Sequence, residues 1–218
     1  MGAWGLMTYE ELIENPDYEK VDSFSHKNIK HVVMKEMGEG GSWASISNMY
    51  QVLGLLAIMI SAFKVFVPFF KHRNFENMVA MAGGVLFSVT FLIAIHEIIH
   101  ALAYKMVGAK KLSFGMRLRK FLFFVMADKQ VLNYKQFKIV ALAPALTIAA
   151  LTIAGMALTY NHPMFYFFLS VFGIHSLFTG GDLGLLTYFE NRKNDEILTF
   201  DVKEEGKTYF YRKKPDKF

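Results

Sequence analysis

Four apolar runs, each near the twenty residues needed to cross about 30 Å of hydrocarbon, constrain this chain more than any other feature. They cover Met49 to Phe70, Met78 to Tyr104, Tyr134 to Leu158 and Met164 to Phe189. In lipid a backbone must satisfy its own hydrogen bonds, so runs of this length read as helices. The expected fold is mainly α, a polytopic membrane protein with about four transmembrane helices. Composition agrees, since 53% of the 218 residues are hydrophobic and 16% aromatic. Lys64 lies close enough to the end of the first run for its stem to snorkel. Pro144 predicts a kink in the third.

The flanks are more polar. Residues 1–48 read as a cytoplasmic N-terminal segment, 49–189 as the membrane-embedded domain and 190–218 as a cytoplasmic C-terminal tail. TYEE at Thr8 to Glu11 has the spacing of a capping box, with Asn15-Pro16 stopping the short helix it opens. KHVVMK, residues 30–35, reads as a brief strand, and GEGGS at 38–42 as a hinge. Asn133 and Gln136 form a second capping box at the start of the third run. No charged start followed by an apolar core and a cleavage site is evident, so no signal peptide is expected, and Leu6 does not suit myristoylation of Gly2.

Between the second and third runs, KLSFGMRLR places Leu112, Phe114, Met116 and Leu118 in alternation with Ser113, Gly115, Arg117 and Arg119. That is the period of a half-buried strand, and FLFFVM at 121–126 is its expected hairpin partner. Its edge, around Leu112 to Leu118, is expected either to pair with an unwound substrate segment or to belong to a strand pair lying at the membrane surface with Arg117 and Arg119 on headgroups. In the tail, ILTFDV and KTYFYR flank KEEG and predict a second hairpin. Lys105, Lys110, Lys111, Arg117, Arg119, Lys120, Lys129, Arg192 and Lys193 fall on one side of a four-span topology, against Lys71 and Arg73 on the other. Charge bias then places both termini in the cytoplasm. The formal charge of +5 is spent beside apolar runs rather than on one basic face, so no nucleic-acid partner is expected.

One stretch conflicts with its apolar setting. Phe91 to Met106 reads FLIAIHEIIHALAYKM and carries His96, Glu97 and His100. Four residues apart on a helix, His96 and His100 differ by about 40° in direction and about 6 Å in rise, so one metal ion can bind both. Glu97 is placed to accept a proton from water at that ion rather than to bind it. The chain has no cysteine, so any metal is held by imidazole and carboxylate.

A catalytic zinc site takes three protein ligands and an open position. The one carboxylate well inside another run is Asp182, in GIHSLFTGGDLG. Measured by helical rise from the cytoplasmic ends of their runs, His96, His100 and Asp182 come out level in the cytoplasmic third. Gly180 and Gly181 allow either a bend that aims Asp182 or close helix packing. His175, two turns deeper than Asp182, is a candidate ligand, supporting residue or transition-state donor, and Tyr104 a weaker donor. His162 sits in a turn before Pro163 and needs no functional role.

HEIIHALAYKM, the strand-like segment after it, QFKIVALAP and FTGGDLG together resemble the zincin peptidase family long catalogued as a domain of unknown function, itself similar to the site-2 protease class of intramembrane metalloproteases. The resemblance covers about Val65 to Phe189. It implies Zn2+ held by His96, His100 and Asp182, Glu97 as general base, and a metallopeptidase working near the cytoplasmic face of the membrane. Asp182 here follows Gly-Gly and precedes Leu183, without the Asn-Pro and Leu-Asp-Gly of classical site-2 proteases. The expected partners are membrane lipids and a membrane-protein or peptide substrate, and the expected location is the plasma membrane of a prokaryote. The alternatives are a non-catalytic metal-binding scaffold or transporter component, and a hydrolase of small peptides or lipid-linked substrates.

Overall fold

The computed structural model describes residues 7–73, 75–117 and 122–215. Among these residues the chain is mainly helical, with two small antiparallel sheets. It divides into two compact units, one built from Met1–Ala44, Glu97–Leu142 and Gly181–Phe218, the other from Ser45–His96 and Ala143–Gly180.

The second unit is helical and apolar outside. It contains most of α3 (Ser42–His72), α4 (Glu76–Val89), the first turns of α5 (Phe91–Met106), the later part of α6 (Tyr134–Leu158), and α7 (Met164–Phe178). Leu55, Phe63, Val79, Leu86 and Leu151 are all exposed, the pattern of helices solvated by lipid. Inside, small residues let backbones meet. A side-chain carbon on Gly84 would lie 2.5 Å from the Phe167 carbonyl oxygen, and one on Gly173 would lie 2.8 Å from that of Gly54.

Among the described residues two helices, Ser42–Lys71 and Tyr134–Leu158, are long and apolar enough to cross a membrane, and there are up to four spans if each of two bent pairs counts as one. The bends fall within the second and fourth predicted runs. α4 and α5 meet at 48°, and α7 and α8 (Gly180–Asn191) at 41°. A threonine marks each break. Thr90 Oγ1 donates to the Leu86 carbonyl at 2.7 Å, and Thr179 Oγ1 to that of Ser176 at 2.9 Å; such back-bonding weakens the helical ladder. α6 stays helical through Pro144.

The first unit holds a four-stranded sheet in the order β1-β6-β5-β4: β1 Tyr18–Ser25, β6 Lys207–Lys213, β5 Ile197–Val202 and β4 Leu132–Asn133. The tail hairpin is β5–β6, as its sequence predicts, and β1, a segment without a strand signal in the sequence, joins it along β6. β5 is buried on both faces: Leu198, Phe200 and Val202 pack with Leu12 of α1 (Tyr9–Glu14), while Ile197 packs with Tyr188 and Phe189 of α8. The capping box on Thr8 and Glu11 opens α1, and that of Asn133 and Gln136 opens α6.

Residues 30–35, expected as a strand, lie in helix α2 (Ile29–Gly38). Val32, Val33 and Glu36 are all buried. A strand would send adjacent Val32 and Val33 to opposite faces, whereas a helix buries them together.

The hairpin between the second and third runs is β2 (Ser113–Arg117) paired with β3 (Leu122–Met126). Within it Phe114, expected on the buried face, is 62% exposed, and Gly115 makes room for the Phe124 ring, which an added side-chain carbon would strike. Leu118, Arg119, Lys120 and Phe121 lie outside the described residues.

Candidate metal centre

α5 is helical throughout His96–His100, so both imidazoles leave the same side of it. His100 is 8% exposed, and its Nδ1 lies 3.0 Å from the Val140 carbonyl oxygen of α6. A carbonyl only accepts, so Nδ1 carries a proton, which leaves Nε2 to donate to a carboxylate or, when unprotonated, to offer its lone pair to a cation. That Nε2 lies 3.4 Å from Asp182 Oδ1, in the first turn of α8. His96 is likewise engaged through Nδ1, which lies 3.1 Å from His175 Nε2.

Among the described residues, one group has the spacing to hold a metal ion. One ligand atom each from His96, His100 and Asp182 lie within 4.8 Å of one another. The donor set is the two imidazoles and one carboxylate that suit zinc with a position left open. His100 meets its hydrogen-bond partner at the nitrogen pointing away from Asp182, as metal-binding histidines do.

Glu97, the residue after the first histidine, is not in that group. Its Oε2 accepts a hydrogen bond from the Val125 backbone N–H of β3 at 2.8 Å. Val125 pairs with Phe114 in the hairpin, yet its N–H turns to Glu97, so the outer edge of β3 faces the carboxylate. The strand edge beside Glu97 is therefore that of β3.

A cavity of about 260 Å³ in the first unit is lined by Glu97, His100, Tyr104 and Asp182, with Phe137 and Phe210 among its apolar walls. Tyr104, one turn beyond His100, thus shares a cavity with three of the predicted site residues. His175 is fully buried beside His96 and is not among that lining. Gly180 and Gly181 serve different ends: a side chain on Gly180 would meet Gln51 Nε2 at 2.9 Å, while Gly181 faces open space at the bend. His162 caps its turn, its Nδ1 accepting from the Met164 N–H at 3.2 Å. Sequence reasoning missed Val125 and Val140, because a backbone group acting on a site leaves no mark on residue type.

The family described as "Putative zincin peptidase" matches residues 89–197, which is half of the chain and includes HEIIH, both strands of the β2–β3 hairpin and Asp182. No curated protein and no solved structure matches.

Proposed function

The chain belongs to this zincin peptidase family, and on that premise we propose that it is a zinc-dependent intramembrane peptidase, similar to site-2 proteases, that hydrolyses peptide bonds near the cytoplasmic face of the membrane. The observation that carries the reading is the grouping of His96, His100 and Asp182 ligand atoms within 4.8 Å, with Glu97 adjoining the first of them in sequence.

His96, His100 and Asp182 are the proposed ligands. Bound zinc polarises a peptide carbonyl and acidifies water towards neutral pH. Glu97 accepts the proton of the attacking water and delivers it to the leaving amine. A carboxylate accepts several hydrogen bonds at once, so the Val125 N–H can orient Glu97 while it serves as base. Tyr104 is the proposed donor to the carbonyl oxygen as charge builds there.

A substrate helix must unwind before its carbonyls are open to attack. The outer edge of β3 offers such a segment backbone partners beside Glu97. In this reading each bent pair is one span, four spans cross the membrane, both termini are cytoplasmic, and the substrate is a membrane protein or peptide. Metal analysis and cleavage assays of Glu97→Gln test the proposal.

A further inference from the structure

We infer that His175 is the positioning residue for His96, accepting a hydrogen bond from His96 Nδ1–H and so presenting Nε2 to the metal. The inference rests on the reading above that His96 is a zinc ligand.

The two histidines of HEIIH are supported differently. His100 meets a backbone carbonyl, which can only accept and so keeps a proton on Nδ1. His96 meets another imidazole, with 3.1 Å between Nδ1 and the His175 Nε2. Ring centroids 5.3 Å apart at 57° make this an edge contact between nitrogens rather than a stack. For His96 Nε2 to offer its lone pair, Nδ1 must carry the proton, and His175 Nε2 must then be the acceptor. A leucine there would bury the His96 N–H against hydrocarbon, and a second-neighbour partner of this kind sets both ring orientation and ligand basicity.

His175 does not itself belong to the ligand group, which comprises His96, His100 and Asp182. It is 0% exposed and held in place by helix packing. One residue along, Ser176 Oγ would lie 1.6 Å from a side-chain carbon on Gly54, and the Gly173 carbonyl oxygen 2.9 Å from it. α3 and α7 therefore touch at backbone distance beside His175, which leaves its ring little freedom to drift.

The test uses the full chain, purified in detergent, stripped of metal and titrated with zinc against a chromophoric chelator, with the visible spectrum of the cobalt form as a second readout. His175→Leu should weaken zinc binding by about ten- to a hundredfold and alter the cobalt spectrum. His175→Gln, whose side-chain carbonyl reaches the Nε2 position, should stay close to wild type in both. If the leucine variant does not fold, His175→Asn takes its place, since its amide stops short of Nε2, and the same loss is expected. Wild-type affinity in the leucine or asparagine variant overturns the inference. So does a glutamine variant that folds yet loses as much affinity as leucine, because shape rather than an acceptor would then be what matters. A wild type that binds zinc tightly and cleaves no peptide would remove the peptidase reading and leave this one intact.

Discussion

The Val125 N–H of β3 donates to the Glu97 carboxylate across 2.8 Å. A strand edge thereby adjoins the proposed general base. The Phe114–Val125 pair must be of the non-hydrogen-bonded kind, and by alternation so is Met116–Phe123. The Phe123 N–H therefore also points out along the edge facing the site.

Phe123→Pro removes that N–H without removing a rung of the hairpin. If substrate pairs with the edge, kcat/KM should fall by about tenfold, the worth of one good hydrogen bond, with zinc content unchanged. Steady-state kinetics on a single-span substrate checks this, and wild-type turnover would exclude β3 as the docking edge.

Tyr104 shares the cavity with Glu97, His100 and Asp182. Tyr104→Phe should lower kcat by about a hundredfold while leaving KM and metal content in place, the pattern of a donor that acts only in the transition state. A rise in KM alone would make Tyr104 a wall of the cavity.

Outside the candidate membrane spans, Glu36 is 2% exposed, and its two oxygens each accept from Arg192 at 3.0 Å. Arg192→Met leaves that carboxylate buried with its main cationic partner gone and should destabilise by about 3 kcal/mol. Thermal unfolding in detergent measures it, and Glu36→Met combined with Arg192→Met should recover most of the loss.

A chain without cysteine suits single-cysteine labelling. Lys71→Cys should react with an impermeant maleimide in intact cells, and Lys203→Cys, in the turn between β5 and β6, only after permeabilisation. Labelling of Lys203→Cys in intact cells would reverse the proposed orientation.

Local chemistry was readable in the sequence. The capping boxes at Thr8 and Asn133, both hairpins, and the meeting of HEIIH with Asp182 follow from short-range spacing or from the cost of burying ionisable groups in lipid. Three features were not readable, each for a physical reason. β1 is a polar segment that becomes a strand by pairing with β6, almost the full length of the chain away. The bends at Thr90 and Thr179 rest on hydroxyls bonded to their own helices, and threonine inside an apolar run carries no unique signal for that. Residues 30–35 were too short for hydrophobic period to separate strand from helix, and burial on one face decided it.

The central claim is that His96, His100 and Asp182 hold a catalytic zinc with Glu97 as base. Its most direct test is to measure zinc content and cleavage of single-span substrates for purified wild type, Glu97→Gln, His96→Ala and Asp182→Ala, side by side. The account predicts about one zinc per chain in wild type and Glu97→Gln, turnover in wild type alone, and loss of both metal and turnover in the other two. Full turnover by Glu97→Gln, or zinc retained undiminished by both His96→Ala and Asp182→Ala, would contradict it.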